Sequence, residues 1–500
     1  MYMKPMGVVG AVMLLWCTLI LAGCHEVQTD IHSETAPPEK SGSEESGPEK
    51  AKNVILFIGD GMGVSTVTAI RILDGQRKGL AGEDNVLSWE KFPHLALAKT
   101  YNTNQQVPDS AGTATAMVTG HKTKAGLISV SAQVTRGACA SAKDQRLQTL
   151  LERAERAGLS TGVVTTARLT HATPAALYAH VPERDWEADS DMPAEALAQG
   201  CRDIARQLIE FSEGDGIEVA LGGGRRAFFP QYMKDPETGA PGRRRDGRNL
   251  IEEWLDKHKG GRYVWRAEDF RAISPEDTDR LLGLFNASHM QYEAQRSRDQ
   301  GGEPSLAEMT EKAIRILEKN DAGYFLMVEA GRVDHGHHAG SAYLALHDGI
   351  ALNQAVEQAV RMTNPDDTLI IVTADHSHTF VMAGYPTRGN PILGKVVGND
   401  DRGSPETAPA LAADGKPYTT LGYYMTPQGL RQGEDRADLG PVDTEAPEFR
   451  QQALIPVRTG HHAGEDVAIY ATGPGAAKVQ GVMEQNKIFD VMIKALNLPL

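Results

Sequence analysis

The chain has 500 residues, of which 41% are hydrophobic, 23% charged and 6% aromatic. This length and composition exclude a small disulfide-stapled scaffold, a collagen-like fibre, a wholly disordered chain and a polytopic membrane protein. The 51 basic and 66 acidic residues give a formal net charge of −15, which argues against a nucleic-acid-binding domain because contacts to phosphate need Lys and Arg. An anionic substrate would therefore have to be held by local cations or bound metals.

Residues 1–23 are typical of an export signal. They carry one early cation, Lys4, and a short apolar run that ends in small residues, which favours a signal peptide over a stable membrane span. The tetrapeptide LAGC at 21–24 resembles a bacterial lipoprotein box, which implies cleavage before Cys24 and lipidation of its thiol. An ordinary signal peptide with an incidental cysteine is the alternative. The resemblance implies an exported protein of the bacterial cell envelope, anchored to a membrane by this lipid.

Residues 24–50 are predicted to form a disordered acidic tether. Most of this stretch consists of acidic, Pro, Gly and Ser residues without apolar periodicity. The folded domain is predicted to occupy 51–500. Cys139 and Cys201 are its only two cysteines, and export permits them to form a disulfide, with two free buried thiols as the alternative.

Four apolar runs in the folded domain are predicted to be buried strands. They cover 53–58, 161–166, 324–328 and 368–373, and they alternate with helical patterns such as 147–158 and 304–319. This alternation predicts an α/β fold with a large, mostly parallel central sheet between helical layers.

Each of these strands leads into residues that bind metals. The candidates are Asp60, His171, Thr173, Glu329, Asp334, His335, His338, Asp375 and His376, with His462 in a later GHHAGED segment. Polar residues after a single strand usually form a turn or a helix cap. Polar residues after four strands should lie close together, because the carboxyl ends of parallel strands share the edge of the sheet at which ligands bind. Imidazole and carboxylate suit zinc, and carboxylate with a Thr hydroxyl suits magnesium. The sequence therefore predicts a hydrolytic site with two Zn²⁺ and one Mg²⁺.

Ser110 lies in the segment VPDSAGTATA, at the predicted start of a helix. One interpretation makes Asp109 or Ser110 a helix N-cap. The other uses the same geometry for catalysis, because a helix N-terminus favours an anionic phosphate and can activate a serine that faces it. The local sequence does not separate the two.

Six segments in order resemble the alkaline phosphatase family. They are NVILFIGDGMGVSTVTA, VPDSAGTATA, HATPAALYAHVPERDW, VEAGRVDHGHH, VTADHSH and HHAGEDVAIYATGPG, and the similarity extends from about Lys52 to near the C-terminus. The animal branch is the closer one, because His171 and His335 replace an Asp and a Lys of the enterobacterial branch. The resemblance implies hydrolysis of small phosphate monoesters at alkaline pH.

The resemblance also implies a role for each candidate. Ser110 would be the nucleophile that forms a covalent phosphoserine, and Arg184 would bind two phosphate oxygens. One zinc would be held by Asp60, Asp375 and His376, the second zinc by Asp334, His338 and His462, and magnesium by Asp60, Thr173 and Glu329. His171 and His335 would lie just outside these ligands, with a purely structural role as the alternative, whereas His337 and His461 are expected to be uninvolved.

The resemblance also bears on an insertion, on assembly and on calcium. Residues from about 380 to 456 resemble the crown insertion of the animal branch. A homodimer is expected, although an acidic tether stands where animal members have an N-terminal helix. Asn286 beside Phe285 occupies a position where an acidic calcium ligand is expected, so no calcium site is predicted. The functional alternatives are a phosphodiesterase or sulfatase of related fold, and a non-catalytic lipoprotein that binds metal or phosphate.

Overall fold

A computed structural model describes residues 50–499 of the chain. The predicted signal peptide, Cys24 and nearly all of the predicted tether lie outside the described residues. The strands are β1 (Asn53–Gly59), β2 (His94–Lys99), β3 (Ser160–Arg168), β4 (Val219–Gly223), β5 (Arg262–Val264), β6 (Leu281–Leu284), β7 (Tyr324–Ala330), β8 (Thr368–Ala374), β9 (Ser377–His378), β10 (Phe380–Met382), β11 (Leu421–Thr426), β12 (Ala453–Pro456), β13 (His462–Ala463), β14 (Val467–Thr472) and β15 (Gly481–Glu484).

The α-helices of this part of the chain are α1 (Val64–Arg77), α2 (Ser110–Thr119), α3 (Leu150–Arg156), α4 (Ala172–Ala175), α5 (Ala194–Ala198), α6 (Ile204–Glu210), α7 (Leu250–Lys257), α8 (Ala267–Ala272), α9 (Leu306–Leu317), α10 (Arg332–His338), α11 (Ala342–Met362) and α12 (Lys487–Ala495). Between residues 50 and 499, none of the helices has both the length and the apolar character needed to cross a bilayer.

Ten strands form one large mixed sheet in the order β15-β2-β14-β8-β1-β7-β3-β4-β6-β5. Neighbouring strands are parallel except for β14, which runs antiparallel to both β2 and β8. Every residue of β1, β7 and β8 is buried, as continuous apolar runs in a covered sheet require. Helices α1, α9 and α11 pack together in one layer, and α2, α3, α4 and α12 pack in another. The predicted α/β fold is confirmed.

The predicted helices are present with shorter bounds, and their ends have local causes. The helix predicted over 147–158 is α3, which begins after a capping box formed by Thr149 and Glu152. The helix predicted over 304–319 is α9, which begins after the equivalent pair Ser305 and Glu308. In each box the two side chains satisfy backbone N–H groups that the first helical turn leaves free, which fixes the start of the helix.

Residues 380–456, the crown segment, contain loops and a small sheet of β10, β11 and β12. The segment is inserted between β8 and β14, which are adjacent in the large sheet. At its base β9 pairs with β13, with His378 opposite His462. The insertion therefore leaves the large sheet next to its carboxyl edge and returns to the same place.

Cys139 and Cys201 form a disulfide with their Cα atoms 6.0 Å apart. The bond packs against a small apolar cluster that includes Trp186, Met192 and Ala196. The predicted pairing is confirmed, and the alternative of two free thiols is wrong.

Two buried carboxyl groups, Glu155 and Glu218, lie at the amino edge of the sheet and form the amino-edge acid pair. Glu218 accepts a hydrogen bond from the Thr161 backbone N–H at 2.7 Å, and Glu155 accepts hydrogen bonds from the Thr161 hydroxyl at 2.5 Å and the Gly216 N–H at 3.1 Å. Burial raises the pKa of Glu155 to about 7 and, together with the Glu155 charge, the pKa of Glu218 to about 8.

Candidate active site

The residues predicted to bind metals converge at the carboxyl edge of four adjacent strands, β8, β1, β7 and β3. Asp60 follows β1, and Glu329 lies near the end of β7, in register with Ile58 of β1 and Thr165 of β3. Asp375 and His376 follow β8. The remaining candidates lie in three other elements: Asp334, His335 and His338 in α10, Thr173 in α4 with His171 as its N-cap, and His462 in β13. The sheet edge thus brings together side chains as distant in sequence as Asp60 and His462.

The first cluster consists of Asp334, His338, His378 and His462, whose candidate ligand atoms lie within 4.8 Å of one another. Asp334 and His338 lie one turn apart in α10, as their spacing predicts, with 3.2 Å between Oδ2 and Nε2. His462 Nε2 is 3.2 Å from His338 Nε2 and 3.4 Å from Asp334 Oδ1. His378 contacts Asp334 Oδ1 at 2.5 Å. The predicted three-residue set is therefore assembled, with His378 in addition.

The second cluster surrounds Ser110. The Ser110 Oγ lies 3.1 Å from His376 Nε2, and this nitrogen is 3.5 Å from Asp60 Oδ1 and 3.3 Å from Asp375 Oδ2. Asp375 Oδ1 is fixed by hydrogen bonds from the backbone N–H groups of Gly61 at 2.9 Å and His376 at 2.8 Å. A serine hydroxyl therefore lies directly against a set of imidazole and carboxylate groups suited to zinc.

The third cluster contains Asp60, Thr173 and Glu329. Both carboxylate oxygens of Asp60, the Thr173 hydroxyl and Glu329 Oε1 are buried without a hydrogen-bond partner among residues 50–499. Such atoms are costly to leave unpaired, and an oxygen-rich set of this kind fits a hard cation such as magnesium. His171 also offers a nitrogen within 4.8 Å of the Asp60 and Glu329 oxygens. The residues present therefore fit the predicted metal groups.

The protonation behaviour of these groups reflects buried acids crowded together. Burial and then the charges of Asp375, Asp334 and Glu329 raise the pKa of Asp60 well above its usual value. Burial also raises the pKa of Glu329 to about 7 and of Asp375 to about 6. Burial followed by the charge of His462 holds the pKa of His376 well below its usual value, so its imidazole is neutral and available as a ligand.

Asp109 lies between the predicted nucleophile, Ser110, and the predicted phosphate clamp, Arg184. It is the N-cap of α2, where its Oδ1 accepts a hydrogen bond from the Gly112 N–H at 3.1 Å. Its Oδ2 accepts a hydrogen bond from Arg184 Nη1 at 3.2 Å. Ser110 is the first residue of α2, so its side chain lies at the positive end of a ten-residue helix. The cap interpretation is confirmed for Asp109, and it leaves the Ser110 side chain free for the role that the other interpretation predicts.

His171 and His335 lie beside these clusters, together with a third histidine, His289, that was not predicted from the sequence. The His289 ring centroid is 4.1 Å from that of His335 and 5.3 Å from that of His171. His378 was also missed, although its alternation with His376 in ADHSH could have indicated it. His337 is buried and joins the Thr66 hydroxyl to the Tyr423 hydroxyl at 3.1 and 2.8 Å.

Comparisons with known proteins agree with this geometry. The sequence model of the alkaline phosphatase family matches residues 51–498. The chain is 47% identical over 452 residues to the tissue-nonspecific alkaline phosphatase isozyme of Gallus gallus, covering 89% of this chain and 84% of that protein. Identity to the Homo sapiens isozyme is 45% over 453 residues, covering 89% and 83%. The solved alkaline phosphatase of Thermus thermophilus superposes with a TM-score of 0.64 at 26% identity, covering 93% of this chain and 96% of that one. The chain belongs to the alkaline phosphatase family, with relatives in its animal tissue-nonspecific branch.

Proposed function

We propose that the protein hydrolyses phosphate monoesters through a covalent phosphoserine formed on Ser110. The observation that carries the proposal is the position of the Ser110 hydroxyl, 3.1 Å from a neutral histidine and at the N-terminus of α2, within a set of buried acids that lack partners. Family membership supports monoesters over the alternatives of a phosphodiester or a sulfate ester.

The chain's own residues bind and orient the phosphate. Arg184 offers a planar guanidinium that can donate two parallel hydrogen bonds to phosphate oxygens. Burial alone would lower the pKa of Arg184, but Asp109 outweighs this effect and keeps the guanidinium charged. Asp109 also caps α2, so one carboxylate fixes both the clamp and the helix that carries the nucleophile. This shared anchor aligns Ser110 Oγ for in-line attack on phosphorus.

The family is metal-dependent, and we propose two Zn²⁺ and one Mg²⁺ per chain. Asp60, Asp375 and His376 would hold one zinc, and Asp334, His338 and His462 the other, with His378 orienting Asp334. Asp60, Thr173 and Glu329 would hold magnesium. When bound, these ions favour the ionised serine and stabilise the attacking and leaving oxygens of an in-line displacement.

Alkaline pH supports this site because protons compete with metals for the same carboxylates. Without bound metal, Glu329 has a pKa of about 7 and Asp375 of about 6, so protons occupy these two ligands at and below neutrality. We therefore propose that metal affinity, and with it activity, rises with pH.

The proposal is tested by turnover of p-nitrophenyl phosphate. The wild type is expected to release phosphate, and Ser110→Ala is expected to lose at least roughly a thousandfold in kcat, because the substitution removes the attacking hydroxyl. A phosphodiester and a sulfate ester of p-nitrophenol are the comparison substrates. Retained turnover in Ser110→Ala would contradict the assignment. A wild type that binds zinc but turns over none of the three esters would point to the non-catalytic lipoprotein.

We also propose that the protein is exported and attached to a membrane of the bacterial cell envelope through lipid on Cys24. The support is the sequence alone: the apolar run and the LAGC tetrapeptide. Full-length protein should partition into detergent and carry lipid by mass spectrometry, whereas Cys24→Ala should lose both properties. Aqueous partitioning of the full-length protein would rule out this anchor.

We further propose a homodimer formed through the crown segment. The sheet of β10, β11 and β12 exposes Val381, Tyr424 and Leu454, which the strand register places on the same face, and the adjacent Tyr385 is 95% exposed. Exposed apolar side chains on one face of a sheet favour a self-complementary interface. Light scattering should give a dimer mass for the wild type and a lower mass for Leu454→Lys; a monomeric wild type would contradict the proposal.

A further inference from the structure

A set of basic residues continues from Arg184 along the carboxyl edge toward β4. This basic wall consists of His171, His289, His335, Arg168, Arg226 and Arg332. Arg184 Nη2 lies 3.2 Å from His171 Nε2, and the ring centroids of His171, His289 and His335 are 4.1 to 5.5 Å apart. The phosphate clamp and the basic wall are therefore continuous.

The three imidazoles could suggest a further metal site, since their ligand atoms lie within 4.8 Å of one another. The surroundings of His289 oppose this interpretation. Arg168 donates a hydrogen bond to His289 Nε2, which occupies a nitrogen that a metal would need. Burial first, and then the charges of Arg168, His171, Arg332 and Arg226, hold the pKa of His289 far below its usual value. Positive charge around the ring disfavours a divalent cation and favours an anion.

Arg226 is the guanidinium of the basic wall that has no acidic or hydrogen-bonding partner in the described part of the chain. Arg168 is neutralised by two hydrogen bonds to Glu187, and Arg332 stacks on Tyr292 at 3.7 Å and faces the buried Asp348. Among residues 50–499, the half-buried Arg226 side chain forms neither an ion pair nor a hydrogen bond. Its backbone N–H bonds to Ala287 O at 3.2 Å, which places it beside the loop that carries His289.

Arg226 lies in a setting that disfavours its own positive charge. Burial and then the charges of Arg168 and Arg243 lower the pKa of Arg226, and the smaller opposing effects of Glu187 and Asp191 do not cancel them. The Arg332 Nε and the Nδ1 atoms of His171 and His335 are buried without a partner in the described part of the chain. Oxygens of an anion would satisfy such donors, as buried polar groups require.

We propose that the basic wall is a second anion subsite, which binds a further phosphate or carboxylate on the leaving group of the substrate. The inference rests on the proposed function, because it places the reacting phosphate at Ser110 and Arg184. The favoured substrates are therefore monoesters or anhydrides that carry two anionic groups rather than esters of neutral alcohols.

The test compares phenyl phosphate with 3-carboxyphenyl phosphate, two aryl esters that differ by one remote carboxylate. The metal-loaded wild type is expected to give the higher kcat/KM for the carboxylated ester. Arg226→Gln is expected to reduce that value roughly tenfold, mainly through KM, because a charge-assisted contact is lost. Its kcat/KM for phenyl phosphate should stay within about twofold. The preference should also weaken as salt is added.

Two controls separate the subsite from general effects. Arg226→Lys should recover part of the preference, because it keeps the charge. Arg361→Gln removes the same charge near the end of α11, an exposed position that leads to the amino end of β8, and should leave the preference unchanged. Pyrophosphate serves as a second substrate with two phosphates and should follow the carboxylated ester.

The outcomes are distinguishable. Turnover of phenyl phosphate without any preference, or an equal loss on both esters in Arg226→Gln, would overturn the subsite while leaving the proposed function intact. A wild type that turns over neither ester would refute both. A fourth metal ion per chain that His289→Asn removes would assign the three histidines to a cation and overturn the anion subsite.

Discussion

Both edges of the large sheet bury carboxyl groups, but they do so in different ways. At the carboxyl edge, the two oxygens of Asp60 and one oxygen of Glu329 have no partner within residues 50–499. At the amino edge, Glu155 and Glu218 accept hydrogen bonds from Thr161 and Gly216, and Arg280 lies 3.5 Å from Glu218.

The contrast shows how a buried acid that binds a metal can be distinguished from one with a structural role. An acid whose oxygens already accept hydrogen bonds needs only a proton to become neutral, so a raised pKa is sufficient to explain the amino-edge acid pair. Acids that crowd together with unpaired oxygens need a positive charge from outside the chain. Partner geometry therefore distinguishes a metal site from a structural pair, whereas the raised pKa that both edges share does not.

The largest expected effect comes from matched amide substitutions at the two edges. Asp60→Asn should lower kcat by roughly a thousandfold, because it removes a carboxylate shared by two proposed metal sets, and stabilisation of that kind amounts to several kcal/mol. Glu218→Gln should leave kcat within about twofold. Steady-state turnover of p-nitrophenyl phosphate and elemental analysis of both variants measure this; equal losses at the two edges would contradict the assignment.

Metal removal should destabilise the fold more at high pH than at low pH. Without metals, Asp375 and Glu329 have folded-state pKa values of about 6 and about 7, above those of the unfolded chain. Their contribution to stability is therefore fully present below the unfolded-state pKa values of about 4, and it is lost as the pH rises from there through 6 to 7. Bound metals favour the ionised acids and reverse this loss. The difference in Tm between metal-loaded and chelator-treated protein should grow from pH 5 to pH 8; a constant difference would contradict the prediction.

A smaller effect is expected from the amino-edge acid pair. Its pKa values of about 7 and about 8 exceed those of the unfolded chain, so stability should fall as the pH rises from about 4.5 to about 8 and then level off. Glu218→Gln should flatten this dependence by an amount on the order of 2 kcal/mol between pH 6 and pH 9. Denaturant unfolding of chelator-treated protein isolates the effect, with Glu276→Gln, an exposed position, as the control. An unchanged pH slope in Glu218→Gln would show that the pair is not the source.

The strands of the fold were predictable from sequence because each central strand is an uninterrupted apolar run. The observed β1, β7 and β8 extend the predicted runs by only one or two residues. The pairing order was not predictable, since β1 lies between β7 and β8 although both follow it by more than 260 residues. Sequence patterns show that a strand is buried without showing which strand is its neighbour.

The site was predictable where its residues follow a strand, and less so elsewhere. Three ligand candidates lie at or directly after strand ends: Asp60, Glu329 and Asp375. They could be expected to meet, because the carboxyl ends of neighbouring parallel strands lie at one edge of the sheet. His378 joins its cluster through a two-residue pairing with His462, which is 84 positions away. His289 reaches His335 through a loop after β6. Such contacts depend on loop paths, and a single sequence contains no periodic signal for them.

The pairing of β9 with β13 closes the chain on both sides of the crown segment. His378 and His462 are therefore held together by backbone bonds at the base of the insertion, whatever lies between them. Because the cost of closing a longer loop grows only slowly with its length, this base allows the insertion to behave as an exchangeable module. A chain that carries the corresponding segment of a relative in place of 380–456 should keep its metal content. The candidate metal-binding cluster at this edge can thus stay intact while the inserted segment varies.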